Sequence, residues 1–344
     1  MRVDTPPPIV GPRVVQRTPL QQPAFEIVQD LTPSGSLTET EWSDQSRTDL
    51  ERFADIAKLA DAFKFVDVGS GTTKAGINLA GKVPGGTLKP GLNYASQLRS
   101  KFPDAPGGET GYLDAQDAYH NPDLPAERDG PLPRIVIILG PNAFRHGKAN
   151  ALATLRHEME HARHAQLALA WLVKWRAERP TASYKDWLAS QVKARQLSAV
   201  EAAVIASGTG GGTAGTEVLA WTEGLVTSLP FIPAVDVNLV LSDDKYPATI
   251  RALRGAGEQF KLVASNTELT KAALDRIRNV CCKVLAQPQR DRLVEWTEFL
   301  INPAGRSMPA SALKLLVAYF GASTDFLTRV RDIARKPCVA KRTP

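Results

Sequence analysis

One long helical run in the middle of the chain constrains the fold more than any other feature. The sequence from Lys148 to Arg179 has helical spacing and continues until Pro180 stops it. Just upstream, the β-branched run RIVIIL from Arg134 to Leu139 predicts a well-paired strand. Because short strand-like runs such as FVDV and AGINLAG occur between residues 65 and 145, the sequence predicts a mixed region of strands that leads into helices.

The two ends of the chain differ from this central region. Residues 1 to 40 are rich in Pro, Gln and Thr and lack a sustained period, which predicts a disordered, Pro-rich leader. Helical spacing from Glu41 to Lys64 marks the start of the folded part. The sequence therefore predicts a leader over 1 to 40, a domain over 41 to 240 and a helical C-terminal subdomain over 241 to 344.

Further helices follow the central run. One is predicted from roughly Tyr184 to Ala206, and another begins after the glycine-rich break at 207 to 216. Beyond about Leu241 the pattern is helical throughout. Helix stops are predicted there at Gly255, Pro288, Pro303 and Gly321.

Composition argues against several classes of protein. The hydrophobic content of 43% and the charged content of 23% are ordinary for a soluble chain, and no apolar run approaches the roughly 18 residues of a membrane span. The N-terminus carries charges and prolines where a secretory signal needs apolar residues. The net charge of +6 is interleaved with acidic residues, which predicts a solvated surface and no nucleic-acid partner. We therefore expect a protein that is cytoplasmic in the producing cell.

The cysteines give no framework for the fold. Cys281, Cys282 and Cys338 are an odd and sparse set without CxxC spacing. Neither a disulfide framework nor a cysteine zinc site is indicated, and we expect these thiols in a reducing interior.

The central helix carries His157-Glu158-Met159-Glu160-His161, a His-Glu-x-x-His sequence. Residues four apart project from adjacent turns of one helix face, so both imidazoles can reach one metal ion. A carboxylate beside a metal-bound water can act as its general base. The helix places its apolar residues on the opposite side, so we expect the histidines to face a cleft. Those apolar residues are Leu152, Leu155, Met159 and Ala162.

Several assignments stay open at this level. The histidines could also belong to an ordinary amphipathic helix, and helical angles alone do not choose between Glu158 and Glu160. His164 lies on the same face, but the rise of about 10.5 Å from His157 is too long for all three imidazoles to share an ion on an unbroken helix. We expect His164 to support the site from behind or to lie on the surface.

These residues resemble the zincin metallopeptidases, in which the active-site helix follows a sheet whose edge strand binds extended substrate. The resemblance covers roughly residues 130 to 225. It implies an α+β fold with a small mixed sheet, a bound Zn²⁺ and a peptide or protein substrate. By this resemblance His157 and His161 are zinc ligands, Glu158 activates the zinc-bound water, and Glu160 is a surface or supporting residue.

The third zinc ligand is expected outside the central motif. The metzincin extension is absent because His164 stands where that family has glycine. The sequence from Glu217 to Ala220 is similar to the Glu-x-x-Ala of gluzincins, which implies Glu217 as the ligand, with Glu201 as its main rival and Asp243 as a further alternative.

One position departs from the commonest gluzincin pattern. Trp221 replaces the Asp that follows Ala220 in that pattern and orients a metal-bound histidine. Glu223 is the candidate to replace that Asp.

Substrate-binding groups are less constrained. The segment from Asn142 to Phe144 resembles the substrate-binding Asn-Ala-aromatic segment of thermolysin-like enzymes. A group that stabilises an oxyanion is also required, and Tyr184, Tyr246 and Arg251 are candidates that spacing does not rank.

Two other classes of function compete with a hydrolase. The sequence VDVGSGTTKAG at 66 to 76 resembles the first phosphate loop of actin-like and sugar-kinase ATPases, but the second loop of those folds is not found. A non-catalytic zinc-containing interaction or cargo protein is the other alternative. The leader ahead of a peptidase-like core is similar in style to toxins or effectors of bacterial contractile injection systems, which implies a delivery apparatus that acts through residues 1 to 40.

Overall fold

The structure is a computed structural model. It describes residues 25–29, 63–67, 108–113, 119–120, 124–139, 148–194, 196–208, 214–232, 235–242 and 245–338. The predicted strand AGINLAG, the segment from Asn142 to Phe144, Asp243 and most of the phosphate-loop-like sequence lie outside these residues.

Five short strands form one sheet. They are β1 (Phe25–Gln29), β2 (Phe63–Asp67), β3 (Gly108–Leu113), β4 (Tyr119–His120) and β5 (Arg134–Leu139). Their order is β2-β1-β5-β3-β4, with β1 parallel to β2 and β5, and β3 antiparallel to β5 and β4. The predicted strand RIVIIL is therefore confirmed as β5, between β1 and β3.

Two strands lie where the sequence predicted something else. β1 falls inside the predicted leader 1 to 40, and β2 begins at Phe63, inside the stretch predicted as a helix up to Lys64. In the sheet, Phe25 of β1 pairs with Phe63 of β2 and with Ile135 of β5. These pairings join distant parts of the sequence, which local periodicity does not detect. The rest of the predicted leader lies outside the described residues.

Most of the described residues are helical, and the C-terminal region is helical as predicted. The helices are α1 (Lys148–Glu178), α2 (Tyr184–Lys193), α3 (Ala199–Gly208), α4 (Ala214–Ser228), α5 (Val237–Leu241), α6 (Pro247–Val263), α7 (Thr267–Lys283), α8 (Gln287–Ile301), α9 (Ala310–Phe320) and α10 (Thr324–Arg335). None of them is long and apolar enough to cross a bilayer.

The predicted helix ends are partly correct. The central helix α1 ends at Glu178, one residue from the predicted end. The helix predicted from Tyr184 to Ala206 is two helices, α2 and α3. The predicted stop at Gly255 is wrong, because α6 continues through it. Gly255 instead lies where another helix packs closely, so its missing side chain serves packing rather than chain termination.

Helix α1 lies between the sheet and the other helices. It contacts β3 and β5 on one side and α3, α4 and α6 on the others. Leu155 and Met159 join Tyr112 and Ile135 in one buried apolar cluster. The predicted apolar side of α1 is therefore confirmed as buried.

A second apolar cluster holds α4 and the C-terminal helices together. Most of its members come from helices α4 to α10. Large buried side chains at its centre include Trp296 of α8, Phe320 of α9 and Phe326 of α10.

The cysteines also differ from expectation. Cys282 and Cys338 form a disulfide, with their Cα atoms 5.3 Å apart, while Cys281 is buried and free. The bond ties the end of α7 to the segment that follows α10. The expectation of three reduced thiols is wrong for this pair, because the two residues are separated by 56 positions and only the tertiary fold brings them together.

Helices α1 and α4 pack closely at Gly224, and this contact yields a stability prediction. A Cβ atom at Gly224 would lie 2.8 Å from the backbone oxygen of Ala153 on α1. We expect Gly224→Ala to destabilise the protein by about 1–3 kcal/mol, because a backbone atom cannot move aside without strain. Thermal unfolding measures this change. The control is Gly305→Ala, where the nearest contact would be an ordinary 3.5 Å; equal melting temperatures for both variants would contradict the prediction.

Candidate metal centre

Helix α1 places two imidazoles side by side. His157 and His161 lie one turn apart, and their Nε2 atoms are 3.0 Å from each other. The helix is unbroken here, so this proximity follows from the four-residue spacing alone. Both side chains retain limited access to solvent, with 12% of His157 and 19% of His161 exposed.

The first turn of α4 brings Glu217 to the same point. Its Oε2 lies 3.8 Å from Nε2 of His157, and its Oε1 lies 3.4 Å from Nε2 of His161. The possible ligand atoms of the three residues all lie within 4.8 Å of one another. The structure therefore brings together the three residues that the sequence singled out as ligands.

The spacing of these three groups can be compared with a zinc site. With zinc–ligand bonds of 2.0 to 2.1 Å in tetrahedral geometry, neighbouring ligand atoms are about 3.3 Å apart. The observed separations of 3.0, 3.4 and 3.8 Å lie around this value. Two imidazoles and one carboxylate are also a donor set that zinc accepts in catalytic sites. The residues present thus fit the ion.

The local electrostatics keep the imidazoles neutral. Burial, and then the neighbouring His161, lower the pKa of His157 well below its ordinary value. Burial lowers the pKa of His161 to about 3. A neutral imidazole has a lone pair for a metal, whereas an imidazolium has none. Burial also raises the pKa of Glu217, so a cation beside it would favour its charged form.

Glu158 is held by the sheet. Oγ1 of Thr110, on β3, lies 2.8 Å from Oε2 of Glu158 and donates a hydrogen bond to it. The same hydroxyl lies 3.0 Å from the backbone oxygen of Glu158. Glu158 is 7% exposed. The sequence offered no signal for Thr110, because a lone threonine in a short strand has no spacing relation to the motif.

Of the two alternatives for Glu160, the surface position is excluded, since the residue is completely buried. Arg276 of α7 donates two hydrogen bonds to its Oε1, at 3.0 and 2.8 Å, and Arg163 pairs with its Oε2. Burial alone would raise the pKa of Glu160, but the neighbouring His164 and the charges of both arginines hold it well below its ordinary value. This carboxylate is therefore charged, and its pair with Arg276 joins α1 to α7.

Glu223 does not take the role of the replaced Asp. Its carboxylate accepts a hydrogen bond of 2.6 Å from Arg156 and lies 3.5 Å from Arg163. Both members of the pair with Arg156 are buried. Glu223 thus ties α4 to α1 through arginines and not through a histidine, and its proposed role in orienting the metal ligands is wrong.

His164 is buried behind the two candidate ligands. Its Nε2 lies 3.4 Å from Oε1 of Glu160, and its ring meets that of His161 edge to face at 5.7 Å. Of the two alternatives for His164, the structure places it behind the site rather than on the surface.

The rival ligand Glu201 has another role. Its carboxylate accepts a hydrogen bond from the backbone N–H of Ser198, and Ser198 accepts one from the N–H of Glu201. This reciprocal pair caps the start of α3. Glu201 is exposed and is not part of the group formed with His157 and His161.

The three oxyanion candidates have different surroundings. Tyr184 is buried and donates a hydrogen bond of 2.6 Å to the backbone of Ala168, so it serves packing. Tyr246 packs against the C-terminal apolar cluster at the start of α6. Arg251 is exposed on α6, and its charge contributes to the lowered pKa of His157. Arg251 is therefore the cation among these candidates that acts on the metal centre.

Comparisons with protein-family models, with curated proteins and with solved structures find no match for this chain.

The metal centre leads to a prediction about zinc content. We expect the purified chain to hold about one zinc ion, and we expect His157→Ala and Glu217→Gln to bind it far more weakly because each removes a ligand. Competition with a chromophoric chelator gives the affinities. Glu201→Gln is the control, since Glu201 is a glutamate of a neighbouring helix outside the group. A loss of zinc in Glu201→Gln with retention in Glu217→Gln would reverse the assignment.

Proposed function

We propose that this chain is a zinc-dependent hydrolase, and more specifically a peptidase, with His157, His161 and Glu217 as zinc ligands and Glu158 as general base. The observation that carries the proposal is the triangle of two neutral imidazoles and one carboxylate at zinc-like separations. The expected zincin-like arrangement of sheet and active-site helix belongs to the same proposal.

The number of ligands favours catalysis over a structural metal. Among the described residues the group has three members, whereas structural zinc sites close their coordination with four protein ligands. When bound in such a site, zinc acts as a Lewis acid that polarises a carbonyl and makes a water molecule more acidic. Three protein ligands leave one coordination position of zinc open for water or substrate. A non-catalytic cargo protein has no need for such an open position.

The role of Glu158 follows from its place beside the histidines. The first residue after His157 projects about 100° around the helix, toward β3, where Thr110 fixes Oε2. A carboxylate held in this way can take a proton from the attacking water and return it to the leaving amine. Thr110 limits the rotation of the carboxylate, so less conformational entropy is lost when it acts.

The sheet favours an extended substrate. Within the part of the chain that the structure describes, β4 pairs with only Tyr112 and Leu113, so the first four residues of β3 pair on one side, with β5. Thr110 belongs to this half-paired stretch. An extended peptide can add to such an edge by main-chain hydrogen bonds, which would bring its backbone near Glu158. Arg251, which lies on α6 and not in the sheet, is a candidate to bind a developing oxyanion.

The predicted delivery as an effector depends on residues 1 to 40, most of which lie outside the described part of the chain. It remains a prediction from the sequence and is not needed for the proposed chemistry.

Glu158→Gln tests the assignment of the general base. The substituted amide cannot accept the proton of water, so we expect hydrolysis to fall by about 10²–10⁴-fold. Zinc affinity should stay close to that of the parent, because Glu158 is not a ligand. The measurements are cleavage of a peptide library followed by mass spectrometry, and zinc content. Undiminished cleavage by the variant would remove Glu158 from the mechanism.

Thr110→Val tests the hydrogen bond from the sheet. Valine keeps the shape of threonine but cannot donate to Oε2 of Glu158, so we expect a lower kcat with zinc affinity unchanged. Thr110→Ser retains the hydroxyl and should restore most of the rate. Equal kcat values for the valine and serine variants would show that the hydrogen bond does not contribute to turnover.

A further inference from the structure

One nitrogen of the His157 ring finds no hydrogen-bond partner in the part of the chain that the structure describes. Its Nε2 faces the candidate metal position, and its Nδ1 is buried without a hydrogen-bond partner among the described residues. Metal-binding histidines almost always donate their second ring N–H to a carboxylate, a carbonyl or water, which fixes the ring. Among the described residues, ring packing is the contact that can orient this imidazole.

The ring of Trp221 packs directly on the His157 imidazole. The two ring centroids are 4.1 Å apart, with an angle of 51° between the ring planes. Trp221 lies on α4 one turn after Glu217, so the two side chains project from the same face of that helix. The residue that departs from the gluzincin pattern is thus in contact with a candidate ligand.

Gly255 of α6 also lies against this indole. A Cβ atom at Gly255 would lie 2.8, 2.9 and 3.0 Å from three atoms of the Trp221 ring system. Real Cβ atoms essentially never come this close to ring atoms, so a side chain here would force the indole to shift. This close approach explains why a glycine stands inside α6, where it costs helix stability.

We propose that Trp221 is the positioning residue of His157, and that it fixes the imidazole by ring packing between α1 and the glycine surface of α6. This inference rests on the proposed metal site but not on hydrolysis. In the absence of the indole, the imidazole can rotate about its side-chain bonds, and metal binding must then order it. Loss of a residue that orients a ligand typically weakens metal binding by about 10- to 100-fold.

The test compares four variants of the full chain by zinc competition with a chromophoric chelator. We expect Trp221→Ala to bind zinc about 10- to 100-fold more weakly than the parent, and Trp221→Phe, which keeps an aromatic ring, to retain most of the affinity. Gly255→Ala should weaken binding although it lies on α6 and offers no ligand. Trp171→Phe is the control, because Trp171 lies about 21 Å further along α1.

A second measurement needs no metal. In metal-free protein labelled with ¹³C-histidine, the ring protons of His157 should show the shift caused by the indole ring current, and Trp221→Ala should abolish it. The shift should be retained in Trp171→Phe. Melting temperatures of the metal-free variants distinguish a loss of ring packing from a general loss of stability. If Trp221→Ala does not fold, Trp221→Phe takes its place in this comparison.

The outcomes separate the two proposals. Wild-type zinc affinity in folded Trp221→Ala overturns the role of Trp221 and leaves the metal site intact. If Trp221→Ala does not fold, wild-type affinity in Gly255→Ala overturns it instead. Failure of the parent chain to bind zinc overturns the metal site, and with it the positioning role. Zinc binding without any peptide cleavage overturns the peptidase proposal alone and supports the positioning role if the variants behave as expected.

Discussion

The candidate site depends on the close packing of α4 against α1. The two helices approach so closely that Gly224 meets the backbone of Ala153, and Ala220 is fully buried in the same interface. This contact fixes the position of α4 along α1. Glu217, Trp221 and Glu223 of α4 each contact a residue of α1. A single helix contact thus supplies a candidate metal ligand, a ring that packs on another candidate ligand, and an ion pair.

The buried charges near the candidate site are compensated by arginines. Removing carboxylates from water costs several kcal/mol each unless cations and hydrogen bonds replace the solvent. Arg163 and Arg276 compensate Glu160, and Arg156 compensates Glu223. Glu217, with 34% of its side chain exposed, instead faces neutral imidazoles. This difference between the arginine-paired carboxylates and Glu217 is physically reasonable, because a carboxylate already paired with arginine has little to gain from a metal ion.

The sequence predicted the parts of the site that depend on local spacing. The pair His157 and His161 follows from helical periodicity. Glu217 follows from the resemblance of a short sequence on α4 to a gluzincin motif. Thr110, Arg276 and Gly255 were not predicted as parts of the site, because each meets it across a long sequence separation that no periodic pattern encodes. Helix α4 as a whole was predicted, but the contact that positions it was not.

The same limit explains the errors in the fold. The disulfide between Cys282 and Cys338 and the pairing of β1 with β5 are long-range contacts, and the sequence near each residue gave no reason to expect them. Gly255 was interpreted as a helix stop because glycine weakens helices, but tertiary packing against Trp221 outweighs that local preference.

The surroundings of Glu158 support the proposed hydrolase over a purely structural metal site. A structural metal needs ligands alone, and Glu158 is not among the three grouped residues. Yet Glu158 is nearly buried and is held by a hydroxyl from the sheet, on the opposite layer from α4. Burying a carboxylate costs free energy that polar partners must offset, and the hydroxyl of Thr110 supplies one of them. In the proposed hydrolase, the same carboxylate would accept a proton beside the candidate metal position.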